Sequence, residues 1–124
     1  MNLTHLLDAG DNIVCFDDLY GGTNRYFRTC ASRFGLDITY VDARDPERLR
    51  QALKPNTKMV WMETPTNPTM KLLDIKAIAD IIKTDAPQAF LVIDNTFMSS
   101  YFQKPLQLGA DVVMHSLTKY MNGN

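Results

Sequence analysis

Five short apolar runs separated by amphipathic stretches restrict this chain to one class of architecture. Asn12 to Phe16, Ile38 to Val41, Met59 to Met62 and Phe90 to Ile93 read as strands, with Val112 to Met114 a shorter fifth. Between them, Asn24 to Phe34, Pro46 to Leu53 and Asp74 to Ile82 carry apolar residues at helical spacing, the last as Ile75, Ile78, Ala79 and Ile82. Gly35 is placed to close the first helix. Asp45 and Asp74 are placed to cap the second and third, with Pro46 as a first helical residue. Strand and helix in alternation require right-handed crossovers, and so predict a mainly parallel α/β sheet covered on both faces. Ligands of such sheets gather beyond the carboxyl ends of the strands. Here those ends are predicted to carry Asp17, Asp42, Glu63, Asp94 and Ser116. No internal repeat, low-complexity tract or interdomain linker interrupts the pattern. The stiffest loop is Thr64-Pro-Thr-Asn-Pro-Thr, whose two prolines fix the backbone, and Asn67-Pro68 is a candidate cis bond.

With 124 residues, 45% of them hydrophobic and 22% charged, the chain suits one soluble domain with a modest core. A net charge of -1 without a basic face argues against nucleic acid as a partner. No run approaches a membrane span, and the opening segment lacks a basic region followed by a long apolar stretch, so the expected compartment is the cytoplasm. Cys15 and Cys30 show neither disulfide-framework nor metal-ligand spacing. Both are expected to be small core residues in a reducing compartment. His5 and His115 come with no nucleophilic triad and no zinc ligand set, so no metal site is expected.

Chemistry concentrates at the end of the chain, in Asp111-Val-Val-Met-His-Ser-Leu-Thr-Lys-Tyr-Met-Asn-Gly. An apolar strand stops there and is followed by two hydroxyls and a lysine. Ser116 and Thr118 can bind a phosphate, while Lys119, once neutral, can attack an aldehyde as a nucleophile. A solvated lysine beside a serine gives the same local pattern. Upstream, Ala89-Phe-Leu-Val-Ile leads into Asp94, and a buried carboxylate needs a cationic or hydrogen-bonding partner. A protonated pyridine nitrogen would serve; so would a helix or turn that Asp94 caps. Tyr20, followed by Gly21 and Gly22, stands where a tight turn permits close approach to a ligand, or is a packing tyrosine beside that turn.

Taken in order, Asp17-Asp-Leu-Tyr-Gly-Gly-Thr-Asn-Arg-Tyr-Phe, Glu63-Thr-Pro-Thr-Asn-Pro, Asp94-Asn-Thr-Phe-Met-Ser, Leu108-Gly-Ala-Asp and Ser116-Leu-Thr-Lys-Tyr-Met-Asn-Gly cover essentially the whole chain. This ordered set resembles the Cys/Met-metabolism family of pyridoxal-phosphate enzymes. The resemblance implies a three-layer αβα sandwich, part of the large domain of a fold-type I transferase-like enzyme, with residues 1–124 a partial cofactor-binding domain. It implies pyridoxal 5'-phosphate as cofactor, held covalently by Lys119, with Asp94 on the ring nitrogen and Ser116, Thr118 and Thr96 among the cofactor contacts. Tyr20 would stack on the ring and assist proton movement, and Asn67 would lie near the ring hydroxyl. Glu63 and Arg25 would lie on the substrate side, although Arg25 read alone is a charged helix residue. For catalysis by Lys119, burial or cationic neighbours must lower its pKa.

Within the family, the Tyr20 and Lys119 motifs favour the branch that cleaves cystathionine to cysteine, 2-oxobutanoate and ammonia, as a homotetramer acting on a small sulfur amino acid. A synthase, a beta-lyase or a methionine gamma-lyase of the same family is the alternative, as is a noncatalytic truncated product. Asn124 departs from the family pattern, where histidine is usual, and the chain stops five residues beyond Lys119. The resemblance places a phosphate loop upstream, and a final strand and a second domain downstream. A segment without them is expected to have little or no turnover of its own.

Overall fold

The computed structural model describes residues 2–123; Asn124 lies outside the described residues. Five strands, β1 (Asn12–Phe16), β2 (Asp37–Val41), β3 (Thr57–Glu63), β4 (Phe90–Asp94) and β5 (Val112–Met114), form one sheet. Their order is β2-β1-β3-β4-β5, and every neighbouring pair is parallel. Four α-helices connect them: α1 (Gly21–Thr29), α2 (Pro46–Ala52), α3 (Ile75–Asp85) and the single-turn α4 (Ser99–Phe102). From β1 the chain steps to β2, then returns past β1 to β3 and continues in that direction. Right-handed crossovers therefore place α1 on one face and α2 with α3 on the other. This is the three-layer αβα arrangement, and the reversal leaves a crevice between the carboxyl ends of β1 and β3.

The strand interiors are apolar because both faces are covered. Ile13, Val14, Met59, Val60, Leu91 and Val92 are all buried. On the α1 face, Phe27 meets Trp61 of β3 edge-on, with ring centroids 5.5 Å apart. On the other face, α3 buries Ile75, Ile78, Ala79, Ile81 and Ile82. The helix starts follow their side chains. The Asp45 carboxylate accepts from Glu47 N and Arg48 N with Pro46 inside the first turn, and Asp74 accepts from Ala77 N at 3.0 Å.

Two sequence expectations need correction. The helix expected over Asn24 to Phe34 starts earlier and breaks: α1 ends at Thr29, and a separate 3-10 turn covers Ala31–Phe34, closed by Gly35 at a φ of 82°. The Thr29 and Ser32 hydroxyls donate to the carbonyls of Arg25 and Arg28, a side-chain competition that loosens a helix end. Cys30 falls at this break and is exposed, whereas Cys15 is a core residue of β1 as expected. The Asn67-Pro68 bond is cis, and so is Thr64-Pro65.

At the amino ends of the strands, Asn12 is fully buried. Its Oδ1 accepts from the Thr57 hydroxyl at 2.7 Å, and its amide lies within donating distance of Asp37 O, Asp37 Oδ2 and Thr39 Oγ1. One side chain thus ties β1 to both its neighbours. Asn12→Ala leaves the buried Thr57 hydroxyl without its acceptor and is expected to lower stability by roughly 2–3 kcal/mol, measured as a shift in the urea unfolding midpoint at unchanged slope.

Candidate active site

The carboxyl ends of β1, β3, β4 and β5 surround a hollow of about 950 Å³ on the α1 face. Each wall is formed where the chain leaves a strand. Behind β1 the chain turns into α1 at Tyr20, whose ring is 55% exposed and lines the hollow. β3 ends at Glu63, β4 ends at Asp94, and parallel pairing sets these two residues opposite one another. Beyond β5, the segment from Ser116 to Lys119 closes the far side. Thus Tyr20, Glu63, Asn67, Asp94, Thr96, Ser116, Thr118 and Lys119 all face one space. Arg25 does not; it lies on α1, exposed and outside the lining.

Not every polar strand end joins the hollow. Asp17 and Asp42 face a separate surface cluster. There Arg44 holds Asp42 at 2.6 Å and Lys71 lies 3.4 Å from Asp17. The Arg44 guanidinium lowers the Asp42 carboxyl to about 2.

Asp94 is 7% exposed and committed on one side only. Its Oδ1 accepts from the Thr96 hydroxyl at 2.6 Å and from Thr96 N at 3.1 Å. The same hydroxyl accepts from Ser116 N at 2.9 Å, so one threonine links the end of β4 to the segment after β5. Oδ2 has no hydrogen-bond donor among the described residues, which leaves half of a buried carboxylate facing the hollow. Across the space the Ser116 and Thr118 hydroxyls lie 2.9 Å apart. Lys119 follows at the start of a 3-10 turn, Tyr120–Asn122, with no ion pair among the described residues. Its side chain is exposed in this chain, so the burial expected of a catalytic amine is not present here.

Glu63 behaves differently from its neighbour. Both its oxygens are occupied by backbone: Oε2 accepts from Tyr20 N at 2.8 Å and Oε1 from Asn67 N at 3.1 Å. At 5% exposure, burial pushes its carboxyl up to about 7, aided by the negative Asp94 beside it and opposed by the two N–H donors. Each of its oxygens thus binds the chain's own backbone.

The glycines after Tyr20 serve a purpose that their turn propensity does not suggest. Gly21 and Gly22 open α1, and a Cβ on Gly22 would sit 2.7 Å from Cε1 of the Tyr20 ring. The missing side chain makes room for the tyrosine. Sequence reasoning also passed over Trp61, Thr4 and Tyr26, which line the hollow. The signal for Trp61 was the two-residue period of β3, which puts it on the same face as Glu63. Thr4 and Tyr26, whose hydroxyls are 2.6 Å apart, lie on segments with no local sign of a site.

Comparison with known proteins agrees with this geometry. Residues 1–124 match the family described as Cys/Met metabolism PLP-dependent enzyme. The chain is 58% identical over 124 residues to cystathionine gamma-lyase of Homo sapiens and 60% identical over 122 residues to that of Rattus norvegicus, covering 100% and 98% of this chain. It spans about 30% of the length of these curated relatives. Among solved structures, metB from Corynebacterium glutamicum superposes with a TM-score of 0.94 at 46% identity, over 98% of this chain and 31% of that one. Cystathionine gamma-lyase from Lactobacillus plantarum, complexed with L-serine, gives 0.94 at 43% identity, over 98% and 32%. With its whole length inside the family match and its sheet shared with these enzymes, the chain belongs to the Cys/Met metabolism PLP-dependent enzyme family.

Proposed function

We propose that this chain is the cofactor-holding part of a pyridoxal-phosphate-dependent carbon–sulfur lyase that cleaves cystathionine to cysteine, 2-oxobutanoate and ammonia. The observation that carries the reading is that Lys119 and the free side of Asp94 face the same hollow. The donor set fits the cofactor's functional groups one by one. Lys119 offers an amine to an aldehyde, and the Ser116 and Thr118 hydroxyls offer hydrogen bonds to a phosphate ester. Asp94 Oδ2 offers a negative charge to a protonated ring nitrogen, and Tyr20 offers an aromatic face. Pyridoxal phosphate, when bound, supplies an electron-poor ring that stabilises negative charge on the substrate's alpha carbon.

The chain's own groups have distinct tasks in this reading. Asp94 keeps a proton on the ring nitrogen, because a buried carboxylate with one uncommitted oxygen is stabilised by a cation there. Thr96 fixes the carboxylate's orientation and, through Ser116 N, its distance from the phosphate side. Asn67 lines the hollow and offers its side-chain amide to the ring hydroxyl. With the cofactor in place, Lys119 Nζ would be positioned to take the substrate's alpha proton and to give a proton to the departing sulfur. Arg25 has no task at this hollow.

We further infer that the whole protein works as a homotetramer in the cytoplasm on a small sulfur amino acid, with neither nucleic acid nor membrane as partner, and that residues 1–124 form part of its large domain. No helix among the described residues is long and apolar enough to cross a membrane. Tyr101 and Phe102, 81% and 75% exposed and stacked edge-on at 4.9 Å, suit burial against another subunit.

Borohydride reduction of the chain with pyridoxal phosphate is expected to leave an adduct that mass spectrometry maps to Lys119. A folded chain with no adduct there would sink the reading. In the whole protein, Lys119→Ala is expected to lower cystathionine cleavage by a factor of about 10²–10⁴, the usual contribution of a positioned acid–base group. Product analysis distinguishes the branches: pyruvate and homocysteine in place of 2-oxobutanoate and cysteine would overturn the gamma-lyase assignment. Gly22→Ala is expected to push the Tyr20 ring aside and weaken pyridoxal phosphate binding about fivefold, the worth of one aromatic contact of about 1 kcal/mol. Trp61 is the chain's one tryptophan and lines the hollow, so quenching of its fluorescence measures that affinity.

A further inference from the structure

The loop after β1 and the loop after β3 carry Tyr20 and Asn67, and neither loop pairs with the other through a regular ladder. They are joined by two carboxylates. On the outside, Asp18 Oδ2 accepts from the Thr66 hydroxyl at 2.5 Å and from the Thr69 hydroxyl. On the inside, Glu63 accepts from the backbone of Tyr20 and of Asn67, one oxygen to each. Glu63 sits on the last residue of β3, in a rigid parallel ladder between β1 and β4, so it ties both loops to the most fixed point nearby. The two residues whose backbone it holds are also two whose side chains line the hollow.

We infer that Glu63 is a positioning residue, a buried carboxylate brace that holds Tyr20 and Asn67 in register across the strand reversal and so aims their side chains at the bound ligand. This rests on the cofactor reading of the hollow, and it replaces the substrate contact expected for Glu63. The brace needs two acceptors. Protonation turns one oxygen into a hydroxyl, a poorer acceptor than a carboxylate oxygen, which weakens one of the two N–H contacts. Charges facing Glu63 come from every side. Asp94 on β4 and Asp18 in the β1–α1 loop disfavour its ionisation, Lys119 lies across the hollow, and the Tyr26 hydroxyl lines it from α1. With its carboxyl raised from 4.5 to about 7, the brace is at its strongest above that pH.

This produces two trends of opposite sign. A carboxyl whose folded pKa is raised binds a proton in the folded chain that the unfolded chain has already lost. Global stability therefore falls as pH rises from about 4.5 through about 7. Over the same window the order of the two loops increases. A residue with a merely structural role would move both in one direction.

The test is amide exchange in the full chain, read as protection factors against pH, in wild type, Glu63→Gln and Glu63→Asp. In wild type, protection of the Tyr20 and Asn67 amides is expected to rise through about pH 7 while the unfolding midpoint in urea declines. In Glu63→Gln, which keeps a single acceptor oxygen, at least one of the two amides is expected to lose about tenfold protection or more at pH 8, and the rise with pH to vanish. The amides of Thr96 and Leu91, held by Asp94 and Asp111, stay unchanged. Glu63→Asp keeps the charge on a shorter arm and is expected to protect one of the two amides. Unchanged protection at Tyr20 and Asn67, or a uniform loss at all four amides, would overturn the inference.

A second arm titrates the same proteins with pyridoxal phosphate and follows Trp61 fluorescence. Binding by Glu63→Gln is expected to be about five- to tenfold weaker than wild type at pH 8 and equal to it at pH 6. Equal affinity at both pH values overturns the aiming role. A wild type that never binds overturns the cofactor reading, and the exchange arm still decides whether the brace exists.

Discussion

Parallel pairing between β3 and β4 places Glu63 directly opposite Asp94, two carboxylates side by side at the floor of one hollow. Two such groups in a poorly hydrated place cannot both hold a free charge, and the structure separates them by their donors. Glu63 receives backbone N–H groups on both oxygens and is still raised by burial. Asp94 receives a hydroxyl and an N–H on one oxygen and presents the other. The first binds the chain's own backbone through both oxygens; the second has one oxygen without a donor among the described residues. A shift of one residue in this register would put the two side chains on opposite faces of the sheet, so the site depends on the ladder before it depends on any loop.

At the amino ends of the strands, one side chain ties β1 to both its neighbours. Asn12 bonds to Thr57 on β3 and reaches Asp37 and Thr39 on β2, so the three strands start aligned. Between β1 and β3 the register shifts once, just after Asn12, and then runs in step from Ile13 opposite Met59 to Cys15 opposite Trp61. Direction reversal at β1 and β3 adds the crevice, and α1 with the amino-terminal segment that bonds to it through Thr4 and Tyr26 walls the space above it.

All five strands were legible from short, largely apolar runs, although β3 extends two residues before and one after the expected Met59 to Met62, and the caps at Asp45 and Asp74 were legible because their side chains act within one turn. The strand-end polar row was legible too, but not its partition. Asp17 and Asp42 are drawn to Lys71 and Arg44 on the surface, and those pairings span up to 54 positions in the chain. The break at Cys30 went unread because hydroxyl back-bonding from Thr29 and Ser32 leaves no mark in apolar periodicity. Glu63 was visible as a strand-end carboxylate, but its role was not. Its partners are backbone groups 43 positions before it and 4 after it, and backbone donors carry no residue identity.

The hydroxyl of Thr96 makes the two halves of the hollow into one unit. It donates to Asp94 and accepts from Ser116 N, so a displacement of the segment after β5 is felt at the carboxylate. That segment is short of regular structure: β5 has three residues, and Lys119 stands between it and a 3-10 turn with φ -111° and ψ -132°. Anchoring through Thr96 is what lets a lysine on irregular backbone keep a defined relation to a carboxylate on a rigid strand. In the proposed reading this matters because an aromatic ring held by both ends tolerates little error in their separation, and a loss of alignment on the scale of an ångström is costly in rate. In that reading the rigid end, Asp94, is supplied by the sheet, and Lys119 sits on irregular backbone where its amine has freedom to move. A lysine placed inside the ladder would have the alignment without that freedom.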